Sequence, residues 1–385
     1  MLNVDRLGVS ETIENIPRSG IREIMDAAWQ TEGAIALGAG QPDFPTPPHI
    51  VAAANEAALA GHTVYVSNSG IPELRSALAE KLRRVNGYDV APEQIIVAAG
   101  GVQALYATFL ALLDPGDGIL LPDPGWPNFA MMAALTRARI QRYPLTPASD
   151  FLPVIEDLER LVDRGTRAIL INSPSNPLGS VIGRERMRAI GAFVAKHGLW
   201  LISDECYDQT TFDDTFVSAA VECDPARTIS IYTFSKTYAM TGWRVGYLAG
   251  PNHAISQIAK VQEPLVSCVN APAQYAALAA LEGPQDVVEE MRISYQMRRD
   301  EVLARLQHAD VPVCMPGGAF YLWADIRSSG EPSRNFALRL LRERKVAVAP
   351  GSAFGPGGEG FIRISLATAP ELLYEATDRI AAALA

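Results

Sequence analysis

Lys236 stands in a turn crowded with small hydroxyls, Thr233, Ser235 and Thr237, and Arg244 follows eight residues later across Gly242. Burial and a second nearby cation both disfavour a lysine ammonium. A lysine nudged toward its neutral amine can attack a carbonyl and form a Schiff base. Arg244 suits a phosphate, because a guanidinium pairs bidentately with its oxygens, and Thr233 and Ser235 add hydroxyl donors. A ligand with a carbonyl beside a phosphate is implied, and pyridoxal phosphate is such a molecule. Asp204 is the first charge after the apolar run Leu199 to Ser203, and Tyr207 follows three residues on. A carboxylate at the end of a strand buried on both faces is expensive without a cationic partner. A protonated pyridine nitrogen would be one, and the Tyr207 hydroxyl could donate to a ring oxygen; a helix N-cap is the competing use of such an aspartate.

Other residues gain weight only in company. Gly40, in the Gly- and Pro-dense stretch GAGQPDFPTPPH, could lie against a ligand or merely serve a turn. Gly100 and Gly101 precede a helix, so amides at its N-terminus could meet an anion, and Val102 comes next. Trp126, between Gly125 and Pro127, could stack on a planar ring or plug the core. Asn176 precedes Pro177 in SPSNPLG, at the end of an apolar strand; its amide could donate to a phenolic oxygen, or the pair could mark a turn. Arg363 alternates with Ile362 and Ile364 in FIRISLA and leaves its strand on the other face, toward a carboxylate or toward water. Tyr65 reads on its own as an ordinary aromatic in a loop.

The elements that must position these residues follow from periodicity. Strands are expected at Ile35 to Leu37, Ile119 to Leu121, Arg139 to Tyr143, Ala168 to Asn172, Leu199 to Ser203, from Thr228, and from Trp243 to Ala249, alternating with helices from residue 94 onward. Helices are expected at Gly20 to Gln30, His49 to Ala60, Asn252 to Gln262 and Ala271 to Leu281, with a leucine stripe at Leu74, Leu78 and Leu82. Pro284 opens a long helix to about Gln307, after which strands pair about a Pro-Gly-Gly turn. The alternation predicts an α/β fold with a parallel sheet. A chain of 385 residues suits one large and one smaller domain. A net charge of −10 argues against nucleic acid or an anionic membrane as partner, so an anionic ligand would need a local positive site. The four cysteines form no CxxC pair and read as reduced thiols, not a disulfide frame or metal site. No signal peptide and no membrane span are expected, which implies a cytoplasmic protein.

The stretch RTISIYTFSKTYAMTGWRVGYLAG, beginning at Arg227, resembles the cofactor-lysine motif of the class I/II aminotransferases, the fold type I pyridoxal-phosphate enzymes. The GxPDFxTP, NPxG, D-x-x-Y and APGSAFG…FIRISLA patterns resemble the same family, in its order, from about Leu37 to Ala367. The resemblance implies an aspartate-aminotransferase-like fold: a three-layer αβα large domain (48–284) with a mostly parallel seven-stranded sheet, and a smaller α+β domain built from both termini (1–47 and 285–385). It implies Lys236 as the residue bound to pyridoxal 5′-phosphate and as acid–base, Asp204 on the ring nitrogen, Asn176 and Tyr207 on the ring oxygen, and Trp126 stacked on the ring. Gly100, Gly101, Val102, Thr233, Ser235 and Arg244 would hold the phosphate. Tyr65 would do so from the partner of a homodimer. Arg363 and Gly40, with Trp126 and Asn176, would hold the amino-acid or 2-oxo-acid substrate. The reaction implied is ping-pong amino transfer from an L-amino acid to a 2-oxo acid. A lyase or decarboxylase shares the same cofactor residues, and a non-enzymatic effector-binding domain is a third possibility, disfavoured by the short stretch before the first motif and by the charge. The sequence departs from the family twice. Thr233 stands where serine is more usual, and GGVQAL stands where aspartate-specific members carry GGKQAL. Val102 therefore predicts a neutral, aliphatic or aromatic donor, with Arg18 or Arg22 as cations that could still receive an acidic substrate.

Overall fold

The computed structural model describes residues 8–14, 16, 20–213 and 216–384. In chain order its strands are β1 Ile35–Ala36, β2 Ile95–Ala98, β3 Gly118–Asp123, β4 Arg139–Pro144, β5 Thr166–Asn172, β6 Trp200–Asp204, β7 Thr228–Thr233, β8 Gly246–Ala249, β9 Val313–Cys314, β10 Tyr321–Asp325, β11 Val346–Ala347, β12 Ala349–Pro350 and β13 Phe361–Ser365. Seven of them form one sheet in the order β2-β8-β7-β6-β5-β3-β4. All its strands run one way except β8, which is antiparallel to both β2 and β7.

The central strands read as unbroken apolar runs because both their faces are covered. On β5, Ala168 and Leu170 pack with Ala104, Phe109, Phe129 and Ile258 on one side. Ile169 and Ile171 pack with Met187, Ile190 and Phe193 on the other. Helices Gly101–Leu112, Pro127–Leu135 and Asn252–Val266 thus form one outer layer, and Ile155–Leu161 and Arg184–His197 the opposite one. Three layers are the result, with every strand C-terminus of β5, β6 and β7 opening on the same edge.

A second sheet, β12-β13-β10-β9, is antiparallel throughout. The N-terminal β1 pairs in parallel with β11, Ile35 beside Val346. Ile24 and Leu37 share a core with Met291, Val302, Leu322, Phe336, Ile362 and Ile380, so both ends of the chain are packed into one body. Among the described residues no helix is long and apolar enough to cross a membrane, and all four cysteines are free.

Element ends shift by a residue or two from expectation, with two larger differences. The last strand of the lysine stretch starts at Gly246, not Trp243. Thr241–Trp243 form a 3₁₀ turn and Arg244 is left-handed, φ 55°, which keeps it out of the strand. Helix Asn252–Val266 runs past Gln262 and contains Pro264. Arg18 lies outside the described residues.

Candidate active site

The strand ends converge on a cavity of about 720 Å³ whose lining includes Gly40, Gly101, Val102, Trp126, Asn176, Asp204, Tyr207, Thr233, Ser235, Lys236, Arg244 and Arg363. Lys236 sits one turn beyond β7. Thr233 caps that turn, its hydroxyl oxygen accepting from the Ser235 amide at 3.2 Å and its own proton going to Ser235 Oγ at 2.9 Å. Lys236 Nζ donates to the carbonyl of Gly40, from the opposite side of the cavity. Burial pulls its ammonium down to about 8, and the charges of Arg363 and Arg244 add to the effect. A neutral amine is thereby brought within reach of physiological pH, as expected for a lysine that must act as nucleophile or base.

Arg244 owes its place to the left-handed turn. Its Nη1 donates to the Thr241 carbonyl at 2.7 Å, and its guanidinium lies against Gly100. A Cβ on Gly100 would come 2.5 Å from Nη2, and φ there is 83°, so only glycine fits. Gly100 therefore stands behind the arginine instead of lining the cavity. Helix Gly101–Leu112 begins at the same spot, adding free amides and the positive end of its dipole. Hydroxyls, guanidinium and helix N-terminus are thus brought together where they could hold a dianionic phosphate.

Asp204 closes β6 and is 4% exposed. No helix starts there, which removes the N-cap alternative; the next helix is Ala219–Glu222. Its Oδ1 accepts from the Cys206 amide at 3.2 Å. Burial pushes its carboxyl up to about 6, against the Cys206 hydrogen bonds and the Lys236 charge. Such a buried, weakly satisfied carboxylate is arranged for a cationic ligand atom.

Arg363, on β13, is 2% exposed. It donates through Nη1 to Asn176 Oδ1 and through Nη2 to the Gly38 carbonyl, each at 2.7 Å. Among the described residues its Nε finds no partner, and its guanidinium lies over Tyr321, 4.2 Å from the ring centroid, and near Phe354 at 5.0 Å. A buried guanidinium held only by neutral acceptors is ready for a carboxylate. Asn176 is itself oriented by Asn172, whose Oδ1 accepts from the Asn176 amide at 2.7 Å, and the Asn176–Pro177 bond is cis. The loop bearing Gly38 and Gly40 is pinned at its far end, where the Trp243 indole donates to Thr46 Oγ1 at 3.1 Å and Arg298 grips Asp43 at 2.8 Å.

Trp126 is partly exposed, lines the cavity and meets Phe129 edge-on at 5.4 Å. Tyr65 is not brought in: it is 87% exposed and outside the lining. Helix Gly20–Trp29 closes one wall with Ile21, Arg22, Met25 and Trp29. Sequence reasoning passed over Asn172, Cys206 and Tyr321. The first two adjoin recognised motif residues, and Tyr321 precedes an apolar run in GAFYLW, which is the only hint the chain carries.

The family model for aminotransferase class I and II matches residues 32–380. The chain is 40% identical over 379 residues to an aspartate aminotransferase of Pyrococcus abyssi, covering 97% of each chain. It is 39% identical to aromatic-amino-acid aminotransferase 2 of Thermococcus litoralis, again with 97% of each covered. The solved aspartate aminotransferase of Thermus thermophilus with maleate superposes with a TM-score of 0.94 at 36% identity, over 98% of this chain and 99% of that one.

Proposed function

The chain belongs to the class I and II aminotransferases, and from that premise we propose that it moves the amino group of a neutral or aromatic L-amino acid to a 2-oxo acid, 2-oxoglutarate or pyruvate. The enzyme is a pyridoxal-phosphate-dependent aminotransferase. The donor set fits the cofactor: a lysine of lowered basicity, a buried carboxylate without a cationic hydrogen-bond partner, and an anion cradle whose glycine admits no Cβ. When bound, the cofactor supplies an electron-poor aromatic ring that accepts the electron pair left on the substrate α-carbon.

The chain's own residues divide the remaining work. Arg363 takes the α-carboxylate, exchanging its neutral acceptors for a charged one, and Gly40 lets the substrate lie close to the backbone. The neutral Nζ of Lys236 would take the α-proton as base and give it up again as acid. Asp204 would keep the ring nitrogen protonated. Asn176 and Tyr207 would donate to the ring oxygen, and Trp126 would pack against the ring. Gly101, Val102, Thr233, Ser235 and Arg244 would hold the phosphate. The two half-reactions alternate in ping-pong order, because donor and acceptor use one carboxylate site.

The observation that carries the donor class is that Ile21, Met25, Trp29, Val102 and Leu105, all apolar, are among the residues lining the cavity. A dicarboxylate donor would find no cation at residue 102, so its side-chain carboxylate would depend on Arg22 alone, and an unpaired carboxylate there would be disfavoured. Arg22 lines the same cavity, 5.9 Å from the Trp29 ring centroid, and we assign it the distal carboxylate of 2-oxoglutarate. The relatives' names include both aspartate and aromatic aminotransferases, so both kinds of side chain belong in the test. A donor-by-acceptor screen read by amino-acid analysis should show leucine, phenylalanine and methionine well ahead of aspartate. Rates for aspartate far above those three would refute the assignment. Release of ammonia or carbon dioxide without a new amino acid would point to a lyase or decarboxylase.

The active unit is a homodimer in this reading. Leu59, Val64 and Tyr65 are 89%, 70% and 87% exposed on one segment, an apolar surface suited to a second copy. Tyr65 of the partner subunit would then reach the phosphate cradle. A monomer by light scattering, or unchanged cofactor retention in Tyr65→Phe, would count against it.

A further inference from the structure

We propose that Tyr321 is a positioning residue that aims the hydroxyl proton of Tyr207 into the cavity and shelves the guanidinium of Arg363, an inference that rests on the roles given above to those two residues. Tyr321 opens β10 and is fully buried. Its hydroxyl lies 2.9 Å from that of Tyr207, and its ring carries Arg363 at 4.2 Å. The residue therefore touches the group assigned to the ring oxygen and the group assigned to the substrate carboxylate.

Each hydroxyl has one proton, and the pair shares one hydrogen bond. Among the described residues Tyr321 Oη has no other hydrogen-bond partner. If Tyr207 donated to Tyr321, Tyr207 would have no proton for a ligand. If Tyr321 donates to Tyr207, the Tyr207 proton is left for the cavity, which Tyr207 lines. The second arrangement is the one a ligand oxygen completes, and a donor that is itself hydrogen-bonded is the stronger donor. Gly40 confines the arrangement from the other side. A Cβ at residue 40 would stand 2.9 Å from Tyr321 Oη, so the glycine leaves the hydroxyl its room.

Removing the hydroxyl and removing the ring should therefore have different effects. Tyr321→Phe keeps the shelf under Arg363 and loses the donor to Tyr207. Its bound-cofactor absorbance, titrated against pH, should show a midpoint raised by about a few tenths of a unit, a fraction of the shift in Tyr207→Phe, because Tyr207 keeps its proton but, no longer hydrogen-bonded itself, is the weaker donor to the anionic ring oxygen. Its affinity for 3-phenylpropionate, a monocarboxylate without an amine, should stay within about twofold. Tyr321→Leu should raise the midpoint similarly and weaken 3-phenylpropionate by about tenfold, a size typical of a desolvated cation–π contact. The decisive readout is the cycle with Tyr207→Phe. If Tyr321 acts through Tyr207, Tyr321→Phe adds no further shift in the Tyr207→Phe background. An additive shift, or no shift from Tyr321→Phe alone while Tyr207→Phe moves the midpoint, overturns the proposal. If Tyr207→Phe itself moves nothing, the reading of Tyr207 falls, and the proposal falls with it.

Discussion

Replacing Asp204 by Asn should stabilise the cofactor-free protein and destabilise the loaded one. The magnitude follows from burial. The Asp204 carboxyl rises from 3.8 to about 6 in the empty fold. A folded-state pKa above the unfolded one means that the fold disfavours the ionised form. Nothing is lost below 3.8, and the loss grows as the proton leaves, reaching its full size above about 6. Linkage gives a cost of about 1.6 kcal/mol at pH 5 and about 3 kcal/mol at pH 7.5. Asparagine keeps an acceptor for the Cys206 amide and has no charge to desolvate. Urea unfolding of cofactor-free wild type and Asp204→Asn, at one protomer concentration, should show the variant more stable at pH 7.5 and the gap roughly halved at pH 5. With pyridoxal phosphate bound the order should reverse, because the ring nitrogen loses its counter-charge. An empty variant no more stable than wild type at pH 7.5, or a gap that ignores pH, would refute the account of this carboxylate.

Three further outcomes can be checked. In cofactor-free protein, acylation of Lys236 followed by peptide mass spectrometry should rise with a midpoint near pH 8, the value to which burial pulls it, well below that of ordinary exposed lysines. Arg363→Lys should lower kcat/KM by about 10- to 100-fold for every donor and acceptor alike, the worth of one charge-assisted hydrogen bond; a loss confined to one side-chain class would place the arginine elsewhere. Lys81 is buried against Asp208 and Asn86 Oδ1, the latter at 2.8 Å. Lys81→Met should cost about 3–5 kcal/mol in unfolding free energy by stranding Asp208, and Lys81→Met/Asp208→Leu should recover much of it.

The site was legible where chemistry interrupts an apolar run. Asp204 ends β6, Lys236 follows β7 and Asn176 follows β5, and each was visible because a polar group at the end of a doubly buried strand needs a reason to be there. Arg22, one of the two cations named for an acidic substrate, does line the cavity, with Ile21 beside it. What stayed hidden depends on distance along the chain. Tyr321 matters because it meets Tyr207, 114 residues away, and Arg298 because it meets Asp43 across 255 residues. No local pattern encodes those meetings. The strand expected at Trp243 failed for a related reason: alternation reads side chains, whereas the left-handed Arg244 is set by where its guanidinium must go, against Gly100.

The same burial acts on both key groups in opposite chemical senses, favouring the neutral amine of Lys236 and the neutral acid of Asp204. Among the described residues the cavity is lined by four cations, Arg22, Lys236, Arg244 and Arg363, and one carboxylate. An overall charge of −10 makes this local excess a property of the site, not of the chain. Among the described residues three of those cations have no carboxylate on them: Lys236 and Arg363 hold carbonyl or amide oxygens, and Arg244 holds backbone carbonyls. Without its cofactor the fold would thus carry like-charge repulsion together with a desolvated acid. A ligand with a phosphate at one end and a protonated ring nitrogen at the other relieves both at once, so its binding energy is also folding stability. The relief at Asp204 requires that carboxylate to be ionised. Stabilisation by cofactor should therefore grow as pH rises toward about 6, over the range in which the cofactor-free fold holds a proton on Asp204 that the loaded fold releases.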